Sequence, residues 1–241
     1  MIPLRDRNPT RRTPVVTFAL IGACLAAFVV ELSITASGGD AALESFFEQW
    51  GAVPADITAA LEAGDYFGQA MLGMITSMFL HGGWLHLLGN MLFLWIFGNN
   101  VEDRLGPIPF LLFYLVGGIA AALTQVVIDP QSTIPLVGAS GAIAAALGAY
   151  IVLFPGARIL SLVFLGFFYQ ILEVPALLVL GFWFALQLVN GFASFGAETA
   201  QGGVAFFAHI GGFVLGVVVG LLLRIVGAGT ARRGPSPGPM G

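Results

Sequence analysis

Six apolar stretches, each close to the length that crosses a bilayer, constrain the fold of this chain more than any other feature. They run over 15–34, 78–99, 108–128, 138–154, 175–195 and 204–226. A transmembrane helix needs about 17–25 mostly apolar residues. Only 9% of the residues are charged, whereas soluble domains carry roughly 25%. The sequence therefore predicts an all-α membrane protein, with a six-transmembrane-helix bundle over residues 15–226.

The arginines give this predicted bundle a direction. All nine basic residues are arginines, at Arg5, Arg7, Arg11, Arg12, Arg104, Arg158, Arg224, Arg232 and Arg233. With both termini in the cytoplasm, all nine fall on the cytoplasmic side and none in an outer loop, as the positive-inside rule requires. The predicted topology is N-in/C-in. Residues 1–14 form a cytoplasmic N-terminal tail, and the Gly- and Pro-rich residues 227–241 form a disordered cytoplasmic tail.

Two segments allow more than one interpretation. The long outer loop 36–75 mixes acidic and aromatic residues, which fits short amphipathic helices on the outer leaflet or a solvated acidic loop. The apolar run 159–172 is short for a span. It could be interfacial, strand-like or an extension of the fifth helix.

Polar side chains from three predicted helices fall at one depth. At a rise of ~1.5 Å per residue, Ser140 lies about 21 Å from Phe154, at the inner end of its helix. In the same way, His209 lies about 22 Å from Arg224 and His86 about 24 Å from Glu102. An ionisable side chain inside a span indicates function, although neighbouring carbonyls could also satisfy a histidine. A serine among glycine and alanine is otherwise a small packing residue, so the shared depth is what favours a site.

Small residues recur at every fourth position on two of these helices. They are Gly141, Ala145 and Ala149 on the fourth and Ala208, Gly212, Gly216 and Gly220 on the sixth. Such strips let helix backbones approach closely. If the strips face each other, Ser140 and His209 come within hydrogen-bond reach as a nucleophile and its general base.

His86 and Asn90 are four residues apart and share one helical face. Both can donate hydrogen bonds to a developing oxyanion, together with the Ser140 N–H; alternatively, Asn90 makes a structural interhelical bond. The His-Glu-x-x-His motif of zinc proteases and the paired intramembrane carboxylates of aspartyl proteases are both absent. A metal site made from His81, His86 and His209 would lack a carboxylate ligand, so no metal or cofactor is expected.

Four motifs together resemble the rhomboid intramembrane serine proteases of bacterial type. They are 81–90 (HGGWLHLLGN), 100–106 (NVEDRLG), 138–141 (GASG) and 208–212 (AHIGG) followed by Gly216. The resemblance covers about 75–223. It implies a catalytic dyad of Ser140 and His209 with no third acid, and an oxyanion and substrate-binding set of His86, Asn90 and Gly138 with the Ser140 amide.

The resemblance also implies a substrate and a location. A water-filled cavity opens to the outer side, and single-span membrane proteins are cut near the outer boundary after a small residue. The chain would be a multi-pass protein of the bacterial inner membrane. Its partners would be transmembrane substrates and the lipid bilayer, with no nucleic acid; the oligomeric state is left open.

The resemblance places a lateral substrate gate between the fifth and second spans. The aromatic residues that would flank it are Trp95, Phe97, Phe182, Trp183 and Phe184, although all could simply face lipid. Two features depart from the family. Residues 71–75 lack the Trp-Arg pair of many members, and Ala144 stands where many have an aromatic ring stacked on the catalytic imidazole.

The predicted function is therefore an intramembrane serine endopeptidase. The main alternative is a catalytically inactive rhomboid-like protein that binds membrane clients for dislocation. A small transporter or channel is a third interpretation, but it would need polar residues along a whole pathway, and here they cluster at one level.

Overall fold

The protein is a helical bundle with a small sheet at one end. The computed structural model describes residues 1–165, 168–193 and 205–231. In chain order its elements are β1 (Ile2–Asp6), α1 (Val15–Trp50), α2 (Pro54–Ala63), α3 (Gln69–Thr76), α4 (Trp84–Phe93), α5 (Asn99–Leu105), α6 (Pro107–Ile128), α7 (Ser140–Leu153), β2 (Arg158–Leu165), β3 (Phe168–Pro175), α8 (Ala176–Ala193) and α9 (Phe206–Ala231). The predicted limits at 195 and 204 and most of the predicted C-terminal tail lie outside the described residues.

The predicted helical membrane bundle is confirmed. Among the described helices, α1, α6, α8 and α9 are long and apolar enough to cross a membrane, and the bent pair 69–79 and 84–105 makes five if it counts as one span. The short helix α7 has 14 residues. It is about 21 Å long, against a hydrocarbon core of about 30 Å. The count of six spans and the N-in/C-in orientation therefore stay predictions.

Burial explains how α7 can be so short. Every residue from 142 to 150 is buried, because α6, α9 and the π turn Leu94–Gly98, which joins α4 to α5, pack around it. A helix enclosed by protein need not match the thickness of the bilayer.

Glycines change the predicted limits of the first two spans. The first helix runs on to Trp50 with a kink at Gly39, where φ is 71°, a left-handed value that glycine adopts readily. The second span begins at Trp84 rather than at 78, because the chain turns by 80° after Phe79 through Gly83 with φ 151°. It continues to Leu105 rather than ending at 99.

The predicted outer loop 36–75 is largely helical. The end of α1, all of α2 and all but the last residue of α3 lie in it, so short helices are present, as one of the two interpretations expected. Their position on the leaflet stays a prediction. Thr76 Oγ1 donates to the carbonyl of Trp50 (2.6 Å) and Gln69 Nε2 donates to that of Gln49 (2.8 Å). These bonds fasten α3 to α1 without the Trp-Arg pair.

The three strands form one antiparallel sheet in the order β1-β2-β3. The strand-like interpretation of 159–172 is confirmed, with Ile159 and Ser161 buried on one face. β1 lies in the predicted N-terminal tail and pairs Ile2 with Leu162. This sheet is an addition to the predicted all-α bundle. The pairing of β1 with β2 could not be expected, because the two strands lie far apart in the sequence.

The arginines that the structure describes gather at one end of the bundle, which we call the arginine end. Arg7 forms an ion pair with Glu173, and the backbone amides of Arg11 and Arg12 both donate to Asp103 Oδ1. Arg224 donates to the carbonyl of Val152 near the C-terminus of α7 (3.4 Å). Ser140 opens α7 at the opposite end of that helix.

A buried carboxylate attaches the N-terminal segment to this end. Glu102 accepts hydrogen bonds from the backbone amides of Val16 (2.9 Å) and Thr17 (2.7 Å) and from the Thr17 hydroxyl (2.7 Å). The first amides of a helix have no acceptor within it. Glu102 therefore caps α1, and its negative charge suits the positive end of the helix dipole.

Candidate active site

Ser140 and His209 meet where α7 and α9 begin. Ser140 is the first residue of α7, and His209 lies in the first turn of α9. Ser140 Oγ and His209 Nε2 are 2.7 Å apart, a normal hydrogen-bond distance. The imidazole is 8% exposed, whereas the serine is only half-buried. The histidine is thus more enclosed than the serine.

The small-residue strips of α7 and α9 face each other as predicted. A Cβ added to Gly212 would collide with the Gly141 carbonyl, and one added to Gly216 would collide with the Ala145 carbonyl. Gly148 lies equally close to the Phe213 carbonyl. Backbone therefore packs directly on backbone, which is what brings the serine and the histidine together.

His86 and Gly138 lie beside this pair. Gly138 has φ 130°, and a Cβ built there would lie 2.7 Å from His86 Nε2 and 3.5 Å from Ser140 Oγ. The Gly138 amide donates to the carbonyl of Ser77 (2.9 Å), which fixes the turn that precedes α7. The absence of a side chain at Gly138 is therefore what leaves room for the His86 ring next to the serine.

Asn90 supplies a buried donor one helical turn after His86. Its side chain is 8% exposed, and Nδ2 has no hydrogen-bond partner among the described residues. A buried donor left unpaired costs about 1–3 kcal/mol. The start of α7 likewise has no side-chain cap, so the Ser140 amide has no acceptor within its helix. These are free donors on elements that border the serine.

His81 lies behind His86 and contacts a carboxylate that sequence spacing alone does not connect to it. The His81 amide donates to Glu31 Oε1 of α1 (3.0 Å), and Glu31 is 2% exposed. The His81 and His86 rings meet edge to face with centroids 5.2 Å apart. The part of the chain that the structure describes contains no group of three His, Cys, Asp or Glu side chains that could hold a metal ion.

Two residues of α8 reach His209 and were not identified from the sequence as its partners. Gln187 Oε1 is 2.8 Å from His209 Nδ1, and the Trp183 ring lies 5.8 Å from the imidazole, tilted by 42°. Gln187 is 9% exposed. The available signal was a strongly polar side chain inside an apolar stretch, since such a group needs a partner there.

A comparison with known protein families identifies the family of this chain. The model of the rhomboid domain matches residues 68–225, which is more than half of the 241 residues and includes Ser140, His209, His86, Asn90 and Gly138. The chain belongs to the rhomboid family. The resemblance seen in the sequence motifs is thereby confirmed, and with its apolar helices this rhomboid is an integral membrane protein.

The rhomboid is similar to relatives from several kinds of organism. It is 33% identical over 153 residues to Rhomboid protein 1, mitochondrial, of Saccharomyces cerevisiae, covering 62% of this chain and 41% of the yeast protein. It is 33% identical over 148 residues to Rhomboid protease GluP of Bacillus subtilis, covering 61% of this chain and 26% of that protein. Rhomboid-like protein 11, chloroplastic, of Arabidopsis thaliana is 41% identical over 69 residues, 29% of this chain and 24% of its own. The matched region thus spans less than half of each relative.

The aromatic residues expected at a gate have different surroundings in this rhomboid. Phe182 is 63% exposed and Trp95 is 45% exposed, so both can face lipid. Phe97 is wholly buried, with its ring edge-on to Tyr150 at 5.0 Å, so it does not face lipid. Phe184 stacks on Phe213 at 4.3 Å. Phe184 and Trp183 therefore pack against α9.

Proposed function

We propose that this rhomboid is an intramembrane serine endopeptidase with Ser140 as nucleophile and His209 as general base. The observation that carries the proposal is the 2.7 Å separation of Ser140 Oγ and His209 Nε2. Serine is a weak nucleophile unless an adjacent base takes its proton. A hydrogen-bonded imidazole at this distance is such a base.

The reaction would proceed by acyl transfer. Ser140 Oγ attacks the scissile carbonyl carbon while its proton passes to His209 Nε2, and the carbonyl oxygen becomes an oxyanion. The C–N bond then breaks, and the leaving amine takes the proton from the imidazolium. Water attacks the acyl-enzyme with His209 again as base, which releases the acid product and restores Ser140.

The oxyanion would be stabilised by donors around the serine. The Ser140 amide and neutral His86 are two candidates, and the unpartnered Asn90 Nδ2 is a third. The Asn90 amide has already lost its hydration in the free protein, because it is buried without a partner. A hydrogen bond from it to a negative oxygen would therefore cost no further desolvation of the amide. Removing one such donor typically costs about 2.7–4 kcal/mol of transition-state stabilisation.

The substrate would be a single-span membrane protein that is cut near the outer boundary after a small residue. The arginine end belongs in the cytoplasm by the positive-inside rule, so Ser140 faces the outer side. Because α7 is shorter than the hydrocarbon core by about 9 Å, the serine would lie at the floor of an indentation that water can fill. A substrate helix must unwind there to present a carbonyl, which favours substrates with weak helix formers at that depth.

The bacterial inner membrane remains a prediction. The relatives described above are named as mitochondrial, chloroplastic or bacterial proteins, so their names do not favour one membrane. The arginine distribution would orient the protein in the same way in any membrane that follows the positive-inside rule.

Cleavage in proteoliposomes tests the proposal. The purified protein is mixed with single-span substrates that carry Gly or Ala near the outer boundary, and the products are mapped by mass spectrometry. We expect Ser140→Ala and His209→Ala each to abolish cleavage. The matched control is Ser33→Ala, since Ser33 is an exposed serine in α1 that only bonds back to Val30. Normal folding without cleavage by the wild type would favour the inactive, client-binding alternative.

A further inference from the structure

The catalytic imidazole is hydrogen-bonded at both of its nitrogens. His209 Nε2 faces Ser140 Oγ at 2.7 Å, and His209 Nδ1 faces Gln187 Oε1 at 2.8 Å. The three side chains come from α7, α9 and α8. They form a hydrogen-bonded series in which Ser140 is the nucleophile, His209 is the base and the neutral amide of Gln187 is the third group.

We propose that Gln187 is a positioning residue that holds His209 in the tautomer and orientation required of a general base. This inference rests on the proposed function. A neutral imidazole has one N–H, and the nitrogen without it is the acceptor. A carbonyl oxygen can only accept, so Gln187 Oε1 at Nδ1 requires Nδ1 to carry the hydrogen. Nε2 is then the free acceptor that can take the proton of Ser140.

The reverse arrangement would disable the base. If the Gln187 amide group donated to Nδ1, the imidazole hydrogen would lie on Nε2, which could not accept from Ser140. The orientation of one amide thus decides whether the pair can react. In serine proteases with a third aspartate, an amide at that position causes a loss of about 10⁴-fold for this reason. A glutamine can serve only while its oxygen faces the ring.

The aromatic ring beside His209 comes from α8 and not from α7. The residue four positions after Ser140 is Ala144, which is fully buried and has no ring to stack on the imidazole. Trp183, one turn before Gln187, instead places its ring 5.8 Å from His209 and 6.2 Å from Phe213. One face of α8 therefore supplies both a ring contact and a hydrogen bond to the histidine.

A purely structural role for Gln187 makes a different prediction. Gln187 would then only satisfy its own buried amide, and its removal would change stability but not the imidazole hydrogen. The two roles are separated by ¹⁵N chemical shifts of histidine-labelled protein in micelles, which distinguish Nδ1–H from Nε2–H. The chain has three histidines, and comparison with His209→Ala assigns the relevant signal.

The test compares Gln187→Leu and Gln187→Glu with Asn190→Leu. Asn190 is an exposed amide on the same helix, so its replacement is the matched control. We expect wild-type His209 to be the Nδ1–H tautomer and Gln187→Leu to shift it towards Nε2–H. General-base catalysis contributes about 10²–10⁴-fold to the rate. Gln187→Leu removes the group that orients the His209 imidazole but keeps the imidazole itself, so kcat should fall about 10–100-fold with little change in KM. Gln187→Glu keeps an acceptor and should retain most of the activity.

Two results would overturn the inference. One is a wild-type His209 with its hydrogen on Nε2, and the other is a folded Gln187→Leu variant with unchanged tautomer and kcat. The NMR measurement needs no substrate, so it separates this inference from the proposed function. If the wild type cleaves and Gln187→Leu is unaffected, only the inference fails. If the wild type cleaves nothing, the proposed function fails, while a tautomer that depends on Gln187 would still support the inferred contact.

Discussion

Adding one methyl group at Gly138 should disturb the oxyanion side of the site, because it would clash with His86 while making only an ordinary contact of 3.5 Å with Ser140 Oγ. In Gly138→Ala the new Cβ would lie 2.7 Å from His86 Nε2 and 2.8 Å from its Cε1. Carbon contacts are favourable at about 3.5–4.0 Å, so the ring must retreat by nearly 1 Å. The backbone at φ 130° adds strain of about 1–3 kcal/mol for a residue with a side chain.

We expect the displacement of His86 to remove one oxyanion donor. The cost is about 3 kcal/mol, so kcat should fall about 10²-fold while the protein remains folded at reduced stability. Cleavage kinetics in proteoliposomes and thermal unfolding measure the two effects. The control is Gly89→Ala, because a Cβ at Gly89 in α4 meets nothing within 4 Å and alanine is the better helix former.

A double-mutant cycle with His86→Ala shows whether Gly138→Ala acts through the His86 ring. If the clash with the ring is the cause, Gly138→Ala should add little to the loss of kcat that His86→Ala produces alone, because the two changes share one interaction. Losses that add in full, or a Gly138→Ala variant with wild-type kcat, would show that the Gly138 conformation does not act through His86.

Three further predictions concern separate parts of the molecule. Burial raises the pKa of Asp6 from 3.8 to about 6, although Tyr150 donates to it. The folded state thus binds the proton more tightly, and stability should fall by roughly 3 kcal/mol as the pH rises from about 4 to beyond 6; Asp6→Asn should flatten this profile in pH-dependent unfolding, and an unchanged slope would contradict it. Gly216→Val should separate α7 from α9 and cost several kcal/mol in denaturant unfolding, whereas Gly181→Ala, with open space around it, should be nearly neutral. Asn90→Ala should lower kcat about 10²-fold with unchanged unfolding; loss of folding would instead make Asn90 a structural bond.

The helices and the central pair could be predicted because their signals are local or periodic. A run of about 20 apolar residues indicates a span without reference to the rest of the chain. The four-residue repeat of Gly212, Gly216 and Gly220 indicates which face of α9 approaches a neighbour. Depth along each helix follows from the constant rise per residue, so Ser140 and His209 could be placed at the same level before any contact was known.

The pairing of β1 with β2 and the partners of His209 could not be predicted in the same way, because they join residues distant in sequence. β1 pairs with β2 some 155 positions later, and five residues of a polar tail carry no alternation that identifies a strand. Gln187 is uncharged, so a search for ionisable side chains inside the spans does not find it. Glu31 and His81 meet only because the chain bends after Phe79, which depends on Gly83 accepting a conformation closed to other residues.

Covalent labelling determines directly whether Ser140 is a nucleophile activated by His209. The protein in proteoliposomes is treated with a fluorophosphonate, digested, and searched by mass spectrometry for the modified peptide. We expect one phosphonylated residue, Ser140, with labelling lost in His209→Ala and unchanged in Ser33→Ala. A label on another residue, or labelling of Ser140 that persists without His209, would contradict it.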